Sequence, residues 1–136
     1  MKKRVTCSFK FNPEARYLLI RFSGSIIYPT DIDICALSSF KKIKESARIA
    51  GSKIWLIIDF SFLDLDNFVF IKEIDDRIKN MLSENVEDWV AISRSMKQRM
   101  KLNLLSTFYR KDITFYSSFL AAENAIVDIQ AKRLFA

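Results

Sequence analysis

Apolar and polar residues alternate near the start of the chain. Val5, Cys7, Phe9 and Phe11 are separated by Thr6, Ser8 and Lys10, the period-2 pattern of a half-buried strand. Asn12-Pro13-Glu14 interrupts the run, because proline fixes φ and donates no hydrogen bond. A second strand is predicted from Tyr17 to Ser23, with Leu18, Ile20 and Phe22 on one face. The short loop between the two implies an antiparallel hairpin. Thr30 is placed to cap a helix, with Asp31 and Asp33 in its first turn against the helix dipole. Ile32, Ala36, Phe40, Ile43, Ala47 and Ala50 then recur at helical spacing, opposite Lys41, Lys42, Lys44, Glu45 and Arg48. Gly51 follows the last apolar position, where a left-handed C-cap needs a residue without Cβ.

Ile54-Trp55-Leu56-Ile57-Ile58 is a continuous apolar run, short and β-branched, and predicts a central strand buried on both faces and closed by Asp59. Asp66 or Asn67 can cap a second helix, whose buried stripe is Ile71, Ile74, Ile78 and Met81 or Leu82. Trp89 to Ile92 predicts a further strand, and Met96, Met100, Leu104, Leu105 and Phe108 the apolar face of the helix after it. Ile113 to Tyr116 is the last strand. Leu120, Ala122, Ala125, Ile126 and Ile129 mark a final helix, which Ser118 can cap. The predicted order is β-β-α-β-α-β-α-β-α. It describes a single α/β domain over residues 1–136, with a mixed sheet of about five strands and about four helices. An antiparallel N-terminal hairpin opens it, and βα units follow.

Composition narrows the chemistry. The 136 residues include no His, two Gly, two Cys and twelve Phe. Without His the commonest general base and zinc ligand are missing. Gly24 and Gly51 cannot build a Walker A loop or a G-x-G-x-x-G turn. Cys7 and Cys35 stand apart in apolar-periodic segments and read as small core residues. The net charge of +6 permits contact with anionic partners. The basic residues are scattered, however, and no RNP-type run, Gly-x-x-Gly clamp or helix-turn-helix pair accompanies them, so nucleic acid is not expected. Lys2-Lys3-Arg4 has the charge of a signal-peptide start but no apolar segment follows. The longest apolar run, Ile54 to Ile58, falls far short of the ~20 residues of a transmembrane helix. A soluble, cytoplasmic chain without a transmembrane segment is expected.

The order of elements, with three local segments, resembles the SpoIIAA-like proteins of the STAS-like superfamily. Trp89-Val90-Ala91-Ile92 is similar to the strand that follows that family's second helix. Ile113-Thr114-Phe115-Tyr116-Ser117, followed by Ala121-Ala122-Glu123-Asn124-Ala125, is similar to its closing strand and helix. Trp55 to Asp59 resembles its central strand, which usually ends in Asp. In anti-anti-sigma STAS domains that strand leads to a turn whose Ser is phosphorylated by a partner kinase. Here the stretch reads Asp64-Leu65-Asp66-Asn67-Phe68, with Asn67 at the phosphoacceptor position and no Gly after it. The resemblance therefore implies the fold and a binding role without the usual phosphoacceptor.

Three candidate sites follow. Asp59, Asp64 and Asp66 gather where a parallel sheet places its ligands; they could hold Mg²⁺ or accept a phosphoryl group, or simply cap a helix and line a solvated turn. Ser93-Arg94-Ser95, at the next strand-to-helix junction, offers hydroxyls and a guanidinium to an anion, or an ordinary Ser cap beside an exposed Arg. Phe62, Leu65, Phe68 and Phe70 exceed what one helix can bury and suggest a dimer contact or an apolar ligand cavity. The Met96 to Phe108 stripe packs on the sheet or meets a membrane or partner. No catalytic residue, metal or cofactor is assigned. The leading expectation is a non-catalytic regulatory domain acting through a protein partner or as a homodimer. The alternatives are a carrier or sensor of a small apolar or amphiphilic ligand and, third, Mg²⁺-dependent phosphotransfer at the aspartates.

Overall fold

The structure is a computed structural model that describes residues 3–25, 28–64, 80, 83–100 and 114–134. Five strands form one sheet in sequence order: β1 (Thr6–Asn12), β2 (Tyr17–Ser25), β3 (Ile54–Asp64), β4 (Val86–Ile92) and β5 (Phe115–Tyr116). β1 and β2 are antiparallel, and every later neighbour is parallel. Helices α1 (Pro29–Ala50) and α2 (Phe119–Leu134) cover opposite faces, and residues 83–85 and 96–100 are also helical. The mixed α/β sheet with an N-terminal hairpin is the architecture the periodicity predicted. The second predicted helix (Ile71, Ile74, Ile78, Met81, Leu82) and Leu104, Leu105 and Phe108 lie outside the described residues.

Strand alternation divides the core in two. Leu18 and Ile20 of β2, Ile54 and Leu56 of β3 and Val86 of β4 pack with Ile43 and Ala47 of α1. Tyr17 and Leu19, Trp55 and Ile57, and Val90 and Ile92 face the other way, onto Ala122 and Ile126 of α2. Neighbouring strands in register supply one apolar side chain to each layer in turn, which explains why Ile54 to Ile58 carries no polar residue. α2 is further tied down by polar contacts: the Tyr17 hydroxyl donates to Glu123, and Gln130 Nε2 donates to the Ala15 carbonyl at 2.7 Å.

Among the described residues, two local signals were overridden. Gly51 ends α1 at φ 67°, and the Ala121 N–H donates to Ser118 Oγ at 3.2 Å as the cap of α2. Thr30, however, is not the cap of α1. Tyr28 is, with Pro29 in the first turn, where its missing N–H costs nothing. The Tyr28 N–H donates to Asp31 Oδ2 at 3.0 Å, so the aspartate supplies the reciprocal half of a capping box. The other exception is Asp59, which does not close β3: the strand runs on to Asp64.

Gly24 shows a tertiary constraint on one residue. The Ser25 N–H donates to the Lys3 carbonyl and the Val5 N–H to the Ser25 carbonyl, both at 2.8 Å, so the N-terminal segment is laid across Gly24. A Cβ there would stand 2.7 Å from the Arg4 carbonyl oxygen, and Gly24 has φ 96°. Gly24→Ala is expected to cost about 3 kcal/mol, from the left-handed backbone and the displaced segment together. Urea unfolding checks it; an unchanged midpoint would show that residues 3–5 are not held there.

Candidate functional site at the carboxyl ends of the parallel strands

β2 and β3 pair Arg21 with Asp59, and then Ser23 with Phe62. One residue separates the partners on β2 and two on β3, so β3 carries an extra residue, a bulge. The bulge is built on Asp59. Its Oδ2 accepts from Arg21 Nε at 2.9 Å, and its Oδ1 accepts from the Ser61 N–H at 2.9 Å. With both oxygens satisfied, a buried aspartate can sit inside a strand rather than end it, which accounts for the length of β3.

The bulge shifts the alternation by one position. Phe60 stacks on Phe22, in the layer covered by α1. Phe62 would follow it in a regular strand. Instead it emerges beside Arg21 and remains 48% exposed. The guanidinium carbon of Arg94 lies 5.1 Å from the Phe62 ring centre and that of Arg21 5.8 Å, within the range of cation–π attraction. Two residues singled out on separate grounds, Phe62 and Arg94, thus share one surface. Arg94 itself is exposed and has no hydrogen-bond or ion-pair partner among the described residues.

Ser93 and Ser95 have different tasks. Ser95 Oγ accepts the Gln98 N–H at 3.2 Å and caps the helical residues 96–100. Ser93 is fully buried. Its N–H donates to the Tyr116 carbonyl at 3.0 Å, its carbonyl accepts Arg99 Nη2 at 2.9 Å, and its hydroxyl donates to Gln98 Oε1. Gln98 completes the corner: its Nε2 donates to the carbonyls of Phe60 and Leu63, the latter at 3.1 Å. Every polar site of one amide is used, and it fastens the segment after β4 to the bulged end of β3. Sequence reasoning missed Gln98, Arg21 and Arg99. A polar residue on the first turn of an amphipathic helix carries no local mark of such a role.

Asp59 and Asp64 are not grouped in a turn. Asp59 and Asp64 both lie within β3, five positions apart, which is roughly 15 Å in an extended strand. Asp59 is committed to Arg21, and Asp64 Oδ2 accepts from Ser25 Oγ at 3.2 Å. Among the described residues, no three His, Cys, Asp or Glu side chains are arranged to hold a metal ion. Asp66, Asn67, Leu65, Phe68 and Phe70 lie outside the described residues, so of the predicted aromatic cluster only Phe62 is placed.

Among solved structures, the chain is similar to an anti-sigma factor antagonist from Mycobacterium paratuberculosis, with a TM-score of 0.53 and 13% identity. The match spans 90% of this chain and 93% of that one. The fold is STAS-like. No family model and no curated protein matches the sequence. The STAS-like order of strands and helices places the bulged corner at the carboxyl ends of β2, β3 and β4, the end at which open α/β sheets receive ligands. Among the described residues, no helix of this STAS-like domain is long and apolar enough to cross a membrane.

Proposed function

We propose that this STAS-like domain is a non-catalytic regulatory module that binds another protein through the corner formed by Phe62, Arg94 and Arg21. The observation that carries the reading is Phe62, nearly half exposed between two guanidiniums, one of which makes no hydrogen bond or ion pair among the described residues. An exposed aromatic ring ringed by arginine has the composition of an interface centre. The similarity in fold to a protein named as an anti-sigma factor antagonist supports the same reading. The corner's other groups are spent on structure: Asp59 on Arg21, Ser93 and Gln98 on each other.

Charge selects the occupant. Arg94 is exposed, so an isologous dimer with its two-fold axis at this guanidinium would bring two like charges together. A different protein, presenting a carboxylate next to an apolar side chain, satisfies both the guanidinium and the ring. The test uses light scattering of the purified chain, and affinity isolation from its source cells with the intact chain and Phe62→Ser side by side. The expected result is a monomer that retains one protein in stoichiometric amount, lost with Phe62→Ser. A dimer that Phe62→Ser dissociates, or identical proteins on both columns, would overturn the assignment. So would a co-purified lipid seen in native mass spectra and lost in the variant.

A further inference from the structure

Along α1, Ile34, Leu37, Lys41, Lys44 and Arg48 follow one another at alternating spacings of three and four, which keeps them on one side of the helix for about 21 Å. All five are exposed, Ile34 at 57% and Leu37 at 61%. The opposite side of the helix, with Ile43 and Ala47, is buried against the sheet. Scattered exposed apolar residues are ordinary on a protein surface. This pair differs in its company, because Lys41, Lys44 and Arg48 make no hydrogen bond or ion pair among the described residues. Glu45, beside the stripe, lies 4.0 Å from the Lys42 amine. Over the exposed surface of α1, four cations stand against two carboxylates, Asp33 and Glu45. α2 is the contrast. It also exposes Leu120, Val127 and Leu134, but its cations are engaged, Lys132 with Asp128 at 3.2 Å and Arg133 with Glu87.

We propose that this stripe docks the domain on an anionic lipid bilayer, with Ile34 and Leu37 entering the boundary between headgroups and acyl chains and Lys41, Lys44 and Arg48 lying against lipid phosphates. Charge complementarity selects the surface. A cation without a carboxylate partner is free to meet phosphate, and the attraction adds up over several cations facing an anionic leaflet. The apolar pair needs a dry place directly beside those phosphates, and a bilayer supplies one. Lysine stems are long enough to keep their methylenes near the acyl boundary while the amines reach the headgroups. Fluid lipids rearrange to suit the stripe, whereas a protein would have to match apolar and acidic residues to it in fixed register.

The helix lies on the membrane and does not span it, since no helix among the described residues is long and apolar enough to cross. Tyr28, exposed at the N-terminal end of α1 with the Arg4 guanidinium carbon 5.2 Å from its ring centre, adds an amphipathic ring suited to headgroup depth. The partner corner stays accessible in this orientation. Arg21 shares the face of β2 that carries Tyr17 and Leu19, the face covered by α2. α1 covers the opposite face, so a bilayer against α1 and a protein beside Arg21 and Phe62 can be bound at once.

The intact chain is mixed with sedimentable vesicles of phosphatidylcholine alone, or of phosphatidylcholine and phosphatidylglycerol in equal parts, and the bound fraction is measured. Binding to the anionic vesicles is expected to be at least about tenfold tighter, and to weaken as salt is raised. Lys41→Gln, Lys44→Gln and Arg48→Gln together should lower that affinity about 100-fold, roughly fivefold for each charge. Ile34→Ser with Leu37→Ser should lower it at least about tenfold. Insertion is read with Leu37→Trp, whose fluorescence should be quenched by brominated acyl chains in the anionic vesicles. Phe62→Ser should bind vesicles as the intact chain does, and both α1 variants should still retain the protein captured by the corner, which separates this proposal from that one. No binding to either vesicle, equal affinity for the two, an unchanged affinity in either α1 variant, or no quenching of Leu37→Trp would each overturn the proposal. Loss of the captured protein from the α1 variants, without vesicle binding by the intact chain, would make the stripe a protein surface instead.

Discussion

Arg94→Glu is expected to weaken binding of the protein captured by the intact chain about 100-fold or more, with no change in thermal stability. The two parts of the expectation have separate causes. Arg94 makes no hydrogen bond or ion pair among the described residues, and its contact is with the exposed ring of Phe62, so its replacement removes little from the folded chain. At an interface with a carboxylate, the same change replaces attraction by like-charge repulsion in a partly desolvated site. Arg94→Lys keeps the charge but loses the planar contact with the ring, and should recover only part of the affinity. Raising the salt concentration should weaken the intact chain and leave Arg94→Glu almost unaffected. Titration calorimetry with the captured protein measures all three; an affinity for Arg94→Glu within threefold of the intact chain would place the contact elsewhere.

Gln98→Glu has the opposite signature, a large loss of stability. The amide's two hydrogens go to the carbonyls of Phe60 and Leu63, and its oxygen accepts from the buried Ser93 hydroxyl. A carboxylate can keep the Ser93 contact, but its second oxygen then faces two carbonyl oxygens with no donor between them. The expected cost is about 3 kcal/mol, read as a urea midpoint lower by roughly 2 M. Gln98→Leu should cost less, because it leaves acceptors unsatisfied without adding a repelling charge. Equal midpoints for the intact chain and Gln98→Glu would show that this bridge does not hold the corner together. Since the same bridge positions the segment carrying Arg94, partner affinity should fall with stability in this variant and not in Arg94→Glu.

Much of the architecture was written in the periodicity. The alternation from Val5 to Phe11, the helical stripe from Ala36 to Ala50 and the unbroken run from Ile54 to Ile58 each correspond to an element of the predicted kind. These signals are reliable because each records which faces of one element are buried. Caps and strand ends were less legible. Thr30 is a good capping residue by type, yet Asp31 is used, because Arg4 arrives from the N-terminal segment to pair with it. Asp59 ends a strand by type, yet Arg21 and the Ser61 N–H satisfy it in place.

The candidate site was half legible. Composition pointed to Phe62 as one of a surplus of phenylalanines, and the strand-to-helix junction pointed to Arg94. Neither observation linked them, nor suggested Arg21 or Gln98. The link depends on the bulge, a mismatch in residue count between two strands, and no single segment carries that information.

The sequence by itself determined the order and kind of the described elements, the two-sided core and the absence of histidine chemistry, since these depend on residue type and local spacing. The tertiary structure alone decided which face Phe62 takes, which arginine satisfies Asp59, and that Gln98 ties the segment after β4 to β3. Each is a contact between residues distant in the chain. The geometry of a contact is set by the register and packing of whole elements, which the residues at either end do not encode.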